Sequence, residues 1–245
     1  MAVASEDLGP DFEYRVEIGG TCTSFCIFRD GQPPLLGTDP DDALFLLDKD
    51  ITIEVQRRRS DLLFLHSAAL EWRGKACLLA ADSGSGKSTT AWALLHHGFR
   101  YLSDELSPVE TGCMRVFPYP QAICLKRAPP QPYGLPKGTI DLGRTLHVPV
   151  RFLPSATLTG PCPLGAVILL EYSPERTVPN LRRISPAEAS ARLYPTMLNA
   201  LSHPNRGLDT VLRIAEGVPC FTLASAELAD TCALVRSTLD KVAEG

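Results

Sequence analysis

Lys75–Gly98 reads KACLLAADSGSGKSTTAWALLHHG, and this stretch decides the fold. It opens on Ala76–Ala81, a run apolar throughout, as a central strand covered on both faces requires. The loop Ala81-Asp82-Ser83-Gly84-Ser85-Gly86-Lys87-Ser88 follows. An amphipathic helix then runs from Ser88 to about His97, with Ala91, Leu94 and Leu95 as its apolar stripe. Gly98 stands where a glycine ends a helix. Strand, loop and helix in this order match the phosphate-binding pattern G-x-x-x-x-G-K-[ST], with Ala81 in place of the first glycine.

The chemistry of that pattern is specific. Successive backbone N–H groups form a concave nest at a helix N-terminus, and the helix dipole adds to its attraction for phosphate. Gly84 and Gly86 allow the backbone angles and the close approach that a side chain would block. Lys87 places a point charge on the β- and γ-phosphates, and the Ser88 hydroxyl is the expected Mg²⁺ ligand. Asp82, Ser83, Ser85 and Thr89 complete the nucleotide-binding set, so the stretch calls for ATP and Mg²⁺. An ordinary glycine-rich turn would not explain why Lys and Ser follow Gly86 in register.

Outward from the loop, Leu62–Trp72 reads as the preceding strand, with Arg73-Gly74-Lys75 as a tight turn. Arg100–Ser103 is a short strand ending on Asp104-Glu105. Residues 106–110 and 114–119 form a hairpin, Ala122–Lys126 a short strand, and Leu164–Tyr172 a second strongly apolar strand. Ser185-Pro186-Ala187-Glu188 is a helix start with a capping box. Gly207–Glu216 is a helix, Val218–Leu223 a strand, and Ser225 caps a final helix to about Val242. Ala128–Pro136 is rich in proline and reads as a mobile loop on the acceptor side. Residues 1–60 form a small β-rich lobe: Phe12–Ile18, Ser24–Phe28 and Ile51–Gln56 are its strands, a turn-rich link spans 30–42, and Met1–Pro10 is a loose polar terminus. Arg57-Arg58-Arg59 reads as a solvated strand end. Residues 61–245 form the loop-bearing α/β domain.

Composition narrows the partners. The 245 residues are 44% hydrophobic and carry a net charge of −4, which supports a sizeable core and disfavours nucleic acid or an anionic membrane. No apolar run is long enough to span a bilayer, and the N-terminus lacks the basic and apolar regions of a secretory signal, which points to the cytoplasm. Several of the eight cysteines sit in apolar runs and read as small buried hydrophobes. Cys22 and Cys26 have no second Cys/His pair at zinc-finger spacing.

A phosphate loop still needs an acid for the metal and a group to activate an acceptor. Asp104 and Glu105, at the carboxyl end of a strand, can divide those roles. His66, in an otherwise apolar strand, reads by itself as a core residue. Taken together, His66-Ser67, the loop Asp82–Ser88 and G-x-R-x-x-x-D-E over Gly98–Glu105 resemble the catalytic domain of HPr(Ser) kinase/phosphorylase and its smaller relatives, which include kinases of lasso-peptide precursors. The resemblance is specific over His66–Glu110. It implies a phosphoenolpyruvate-carboxykinase-like α/β fold with a twisted mixed sheet, and a tendency to homo-oligomers. It also implies Asp104 as the base toward a serine hydroxyl, Glu105 beside the metal, and His66 near the transferring phosphate. The bifunctional enzymes carry an E-[IV]-R-G-[LIVMF]-G segment after the acid pair. Here Leu125-Lys126-Arg127 and the Pro-rich stretch take its place, which argues against phosphorylase activity and against HPr as acceptor. Lys126 and Arg127 face either phosphate or substrate, or are a solvated strand end. The expectation is an ATP-dependent kinase of a serine on a protein or peptide, such as a natural-product precursor. A nucleotide-binding regulator without turnover and a small-molecule kinase are its rivals.

Overall fold

The computed structural model describes residues 12–19, 24–29, 31–82, 84–172 and 175–244. The expected loose terminus, Cys22 and Ser83 lie outside these described residues. The chain divides into two compact units, Met1–Arg58 and Arg59–Gly245.

In the first unit, β1 (Tyr14–Ile18), β2 (Phe25–Arg29) and β3 (Gln32–Gly37) form an antiparallel sheet, and α1 (Pro40–Arg58) follows. Two readings are corrected here. The link expected over 30–42 contains β3. The strand expected at Ile51–Gln56 lies inside α1, so the unit is not purely β-rich. The alternation I-T-I-E-V-Q fits a strand only in isolation. In the chain this segment continues the helix that begins at Pro40, whose buried positions are Ala43, Asp50 and Gln56. Arg57 and Arg58 are accordingly a helix end, where they favour the helix dipole and pair with Glu54. Buried Asp50 accepts from Tyr14 Oη (2.7 Å) and pairs with Arg29, the partnering that a buried charge needs.

The second unit begins with β4 (Leu62–Leu65), β5 (Ser67–Trp72), β6 (Lys75–Ala80), α2 (Lys87–His96) and β7 (Arg100–Ser103). Next come β8 (Ser107–Glu110), β9 (Arg115–Val116), β10 (Ile123–Leu125), β11 (Ile140–Asp141) and β12 (Leu146–Val148). The chain ends with β13 (Cys162–Tyr172), β14 (Asn180–Arg183), α3 (Pro186–Leu193), α4 (Leu208–Gly217), β15 (Cys220–Ser225) and α5 (Leu228–Glu244). A curled mixed sheet runs in the order β4-β8-β9-β13-β6-β5-β7, with β15 and then β14 beyond β13. Central β13 pairs in parallel with both β6 and β15. One face packs against α2 and α5 through Leu70, Leu79, Trp92, Leu94 and Val235. The other packs against α3 and α4 through Leu65, Leu78, Val167, Ala189 and Ile214. β10, β12 and β11 make a separate small sheet beside α2, and sequence reading missed β11, β12 and β14.

The apolar run Leu62–Trp72 divides into β4 and β5 at His66, yet from Leu62 to Ala69 it keeps one register along its antiparallel neighbour, shifting only between Ala69 and Leu70. Leu65 faces Ser107 and Ala69 faces Ser103, four residues further on along both strands. The ladder opens only where Asp104, Glu105 and Leu106 lie opposite His66–Ala68. Arg73 and Gly74, with φ of 48° and 83°, make the tight β5–β6 turn expected there.

Two local expectations change. Ser225 belongs to β15, and the start of α5 is held by the Glu227 carboxylate, which accepts from Asp230 N at 2.9 Å. The Pro-rich stretch is docked rather than free. Tyr133 is buried, its carbonyl accepts from Trp92 Nε1 (2.8 Å), and its hydroxyl bonds His97 Nε2 (2.7 Å). An aromatic ring with a polar tip outweighs the proline content around it. As expected, Cys77, Cys162, Cys220 and Cys232 are buried and unpaired, and among the described residues no helix is long and apolar enough to cross a membrane.

Tyr133→Ala removes this anchor and should lower unfolding free energy by about 3 kcal/mol, the usual cost of an aromatic core truncation. Tyr133→Phe loses only the hydroxyl bond, at about 1 kcal/mol. Urea denaturation checks both, and an alanine variant as stable as wild type would mean that the loop is not held by this residue.

Candidate functional site

Strand direction gathers the site. β5 runs antiparallel to β6 and β7, with Ser67 opposite Ala80 and Ala69 opposite Ser103. The start of β5 therefore lies beside the carboxyl ends of β6 and β7. His66 precedes β5, the glycine loop leaves β6, and Asp104-Glu105 leaves β7. Three segments distant in sequence meet at one end of the sheet.

The loop has the conformation its glycines were expected to supply. Gly84 and Gly86 are left-handed, at φ 92° and 86°, where a β-carbon is disfavoured. Ser85 N donates to Asp82 O (3.1 Å), and Gly86 is the N-cap of α2, with Thr90 N donating to its carbonyl (2.8 Å). No side chain caps this helix start, so its first amides remain a site for an anion. Ala81 has no left-handed φ and packs its methyl at the edge of the core, so the first glycine of the pattern is not needed here. Thr89 is half-buried in the first turn of α2.

Lys87 is the centre of the charge network. Its Nζ lies 2.6 Å from Asp104 Oδ1 and 2.7 Å from Glu105 Oε1. Lys87 and Asp104 are both buried, whereas the Glu105 side chain is 45% exposed. Burial by itself would lower the Lys87 pKa, but the two carboxylates outweigh it and hold the ammonium above its ordinary value. Burial pushes Glu105 up, and Lys87, with His66 and Ser88 assisting, outweighs that and holds its carboxyl below its ordinary value. Ser88 Oγ reaches Glu105 Oε1 at 3.4 Å. His66 Nδ1 lies 3.2 Å from the Glu105 carbonyl and 3.5 Å from its Oε2.

Consecutive strand residues point to opposite faces, yet Asp104 and Glu105 meet one ammonium. A left-handed Glu105, at φ 69°, makes this convergence possible. That conformation is uncommon for a residue with a β-carbon. Asp104 Oδ2 is buried without a hydrogen-bond partner among the described residues. An ionisable oxygen left in that state points to a partner outside the chain. Ser88 and Glu105 offer a hydroxyl and a carboxylate, a hard oxygen set of the kind Mg²⁺ takes together with phosphate oxygens. Among the described residues no group of three or more His, Cys, Asp or Glu side chains forms a metal site by itself.

Lys126, at the end of β10, brings its Nζ to 3.7 Å from where a β-carbon on Gly84 would stand. Arg127 is exposed at the start of the Pro-rich stretch. Sequence reading missed Cys124 and His147, which pair across β10 and β12 with Sγ and Nε2 3.7 Å apart. Burial raises the Cys124 pKa and Glu105 adds to the rise, so the thiol lies within electrostatic reach of the acid pair. Strands of three residues carry too little periodicity to reveal this wall.

No protein-family model and no curated protein sequence matches the chain. The solved structure of the Hpr(Ser) kinase/phosphatase from Coxiella burnetii superposes on it with a TM-score of 0.37 at 10% sequence identity, covering 73% of this chain and 88% of that one. A superposition that loose identifies neither activity nor site.

Removing Lys87 leaves Asp104 as a buried charge without its cation, a loss worth about 3 kcal/mol or more. Lys87→Met should therefore destabilise the protein by that order, and adding Asp104→Asn should recover most of it. Denaturant titration of the two singles and the double checks the coupling, and strictly additive effects would contradict the pair.

Proposed function

We propose that the chain is an ATP-dependent kinase that transfers the γ-phosphate to a serine hydroxyl of a protein or peptide. The observation that carries the reading is the meeting of the loop lysine with both carboxylates, one of which keeps a buried, unpartnered oxygen. In this reading the loop amides from Gly84 to Ser88 and the Lys87 ammonium hold the phosphates, with Asp82, Ser83, Ser85 and Thr89 around them. Lys126 approaches from β10 and adds a second cation, and Arg127 belongs to the acceptor side. Ser88 and Glu105 hold Mg²⁺. When bound, the metal neutralises charge on the phosphate oxygens.

Asp104 is the base. Its Oδ2 takes the serine proton while the serine oxygen bonds the γ-phosphorus and the bond to the bridging oxygen breaks, leaving ADP. Asp104 is fully buried, so this role requires Lys87 to exchange carboxylate for phosphate oxygens and uncover it. His66 assists through Glu105. The missing phosphorylase segment makes the transfer one-way, and a precursor peptide of a ribosomal natural product, including the lasso type, fits such a kinase. The same reading includes a phosphoenolpyruvate-carboxykinase-like fold, a homo-oligomer and a cytoplasmic location, where ATP is available. The burial of Asp104 is also the best support for the rival, a nucleotide-binding regulator without turnover.

Labelled ATP with candidate peptides, and the product mapped by mass spectrometry, separates the two. The expected result is phosphoserine, with Asp104→Asn lowering the rate by about a hundredfold or more, the usual contribution of a positioned base. Tight ATP binding with no turnover on any acceptor would favour the regulator. Transfer by the Asn variant at the wild-type rate would remove Asp104 from the mechanism.

A further inference from the structure

We infer that His66 is a positioning residue, which fixes the turned backbone of Glu105 by donating Nδ1–H to its carbonyl and thereby aims the Glu105 carboxylate. The inference rests on the reading of Glu105 as the metal-side acid and changes the role of His66 from phosphate contact to latch.

From Leu62 to Ala69 the chain keeps one register along β8 and the end of β7, with no residue inserted between Leu65–Ser107 and Ala69–Ser103; the register shifts only beyond, between Ala69 and Leu70. Regular pairing over the gap would send Asp104 and Glu105 to opposite faces of the sheet. Instead the strand opens, Glu105 turns left-handed, and both carboxylates close on Lys87. The turn breaks the backbone ladder at this point, and side chains supply hydrogen bonds there. Ser107 Oγ donates to Ser67 O at 2.9 Å, and His66 Nδ1 meets Glu105 O at 3.2 Å. A carbonyl only accepts, so Nδ1 carries the proton. The same nitrogen lies 3.5 Å from Glu105 Oε2, so the imidazole stands beside the carboxylate as well as the carbonyl.

His66 can serve as a fixed point because its own backbone is held. Its N–H donates to Thr196 O at 2.7 Å, and Leu198 N donates to Phe64 O at 2.8 Å, so the segment after α3 braces the β4–β5 bend. An unusual backbone angle at an acid beside a phosphate loop persists only where its surroundings enforce it. His66 is a side chain that bonds the carbonyl of that residue and lies beside its carboxylate.

Three substitutions distinguish the latch from a phosphate contact. The side-chain amide of asparagine can donate from the place of Nδ1, whereas that of glutamine reaches the place of Nε2. Mn²⁺ binding to the protein with ATP, read by electron paramagnetic resonance, should weaken about tenfold in His66→Ala, the scale of losing a residue that orients a metal ligand. His66→Asn should restore Mn²⁺ affinity and His66→Gln should not, while ATP binding without metal stays unchanged in all three. Rescue by Gln and not Asn, or no loss in the Ala variant, would overturn the inference. Nitrogen-15 NMR of the wild-type ring at pH 8.5 gives a readout that needs no ligand. The Nδ1–H tautomer is expected, and Nε2–H would overturn the latch. A wild-type chain that binds no Mn²⁺ with ATP would defeat the kinase reading, while the tautomer still decides the hydrogen bond.

Discussion

Lys87 cannot satisfy two buried or half-buried carboxylates unless the start of one helix and the end of one strand lie within a few ångströms of each other. Its ammonium comes from the first turn of α2, Asp104 from the end of β7, and Glu105 from the turn beyond it. The antiparallel placement of β5 between β6 and β7 brings those ends together. The apolar strands and the helices that cover them keep water away, so the charges are felt strongly. Much of the second unit can be read as support for this one contact: Trp92 and Leu94 fix α2, Tyr133 locks a long irregular segment against it, and the segment after α3 braces the bend at His66.

The same contact explains why the site is built with strain. A buried ammonium with one carboxylate would be neutral and inert. Adding Glu105 required breaking a strand ladder and accepting a left-handed backbone. What results is a buried cation shared by two carboxylates, one of them 45% exposed and the other with one oxygen unpartnered among the described residues, the features on which the proposed kinase rests. Each of these suits phosphate transfer better than it suits stability.

The parts legible in the sequence were those with long or chemically specific signals. The apolar run Ala76–Ala81, the loop glycines, Lys87 and the acid pair follow from burial and from phosphate chemistry, and the structure brings Lys87, Ser88, His66 and both acids together. Ala81 is tolerated because its backbone never needed a glycine. Illegible were features decided by tertiary context. Ile51–Gln56 alternates like a strand but continues a longer helix. Tyr133 turns a proline-rich stretch into part of the core. β11 and β12 are too short to carry a period, so the Cys124–His147 wall had no sequence signal. The left-handed turn at Glu105 was hidden for another reason, since nothing in the residue type calls for it.

In the proposed kinase, Lys87 exchanges carboxylate for phosphate and so exposes Asp104. A crystal structure with Mg²⁺ and a non-hydrolysable ATP analogue tests it most directly. The expected complex has Lys87 Nζ on a phosphate oxygen, Ser88 and Glu105 at the metal, and Asp104 Oδ2 facing the γ-phosphate. Phosphates bound with Lys87 still closed on both carboxylates, and Asp104 still sealed, would contradict it.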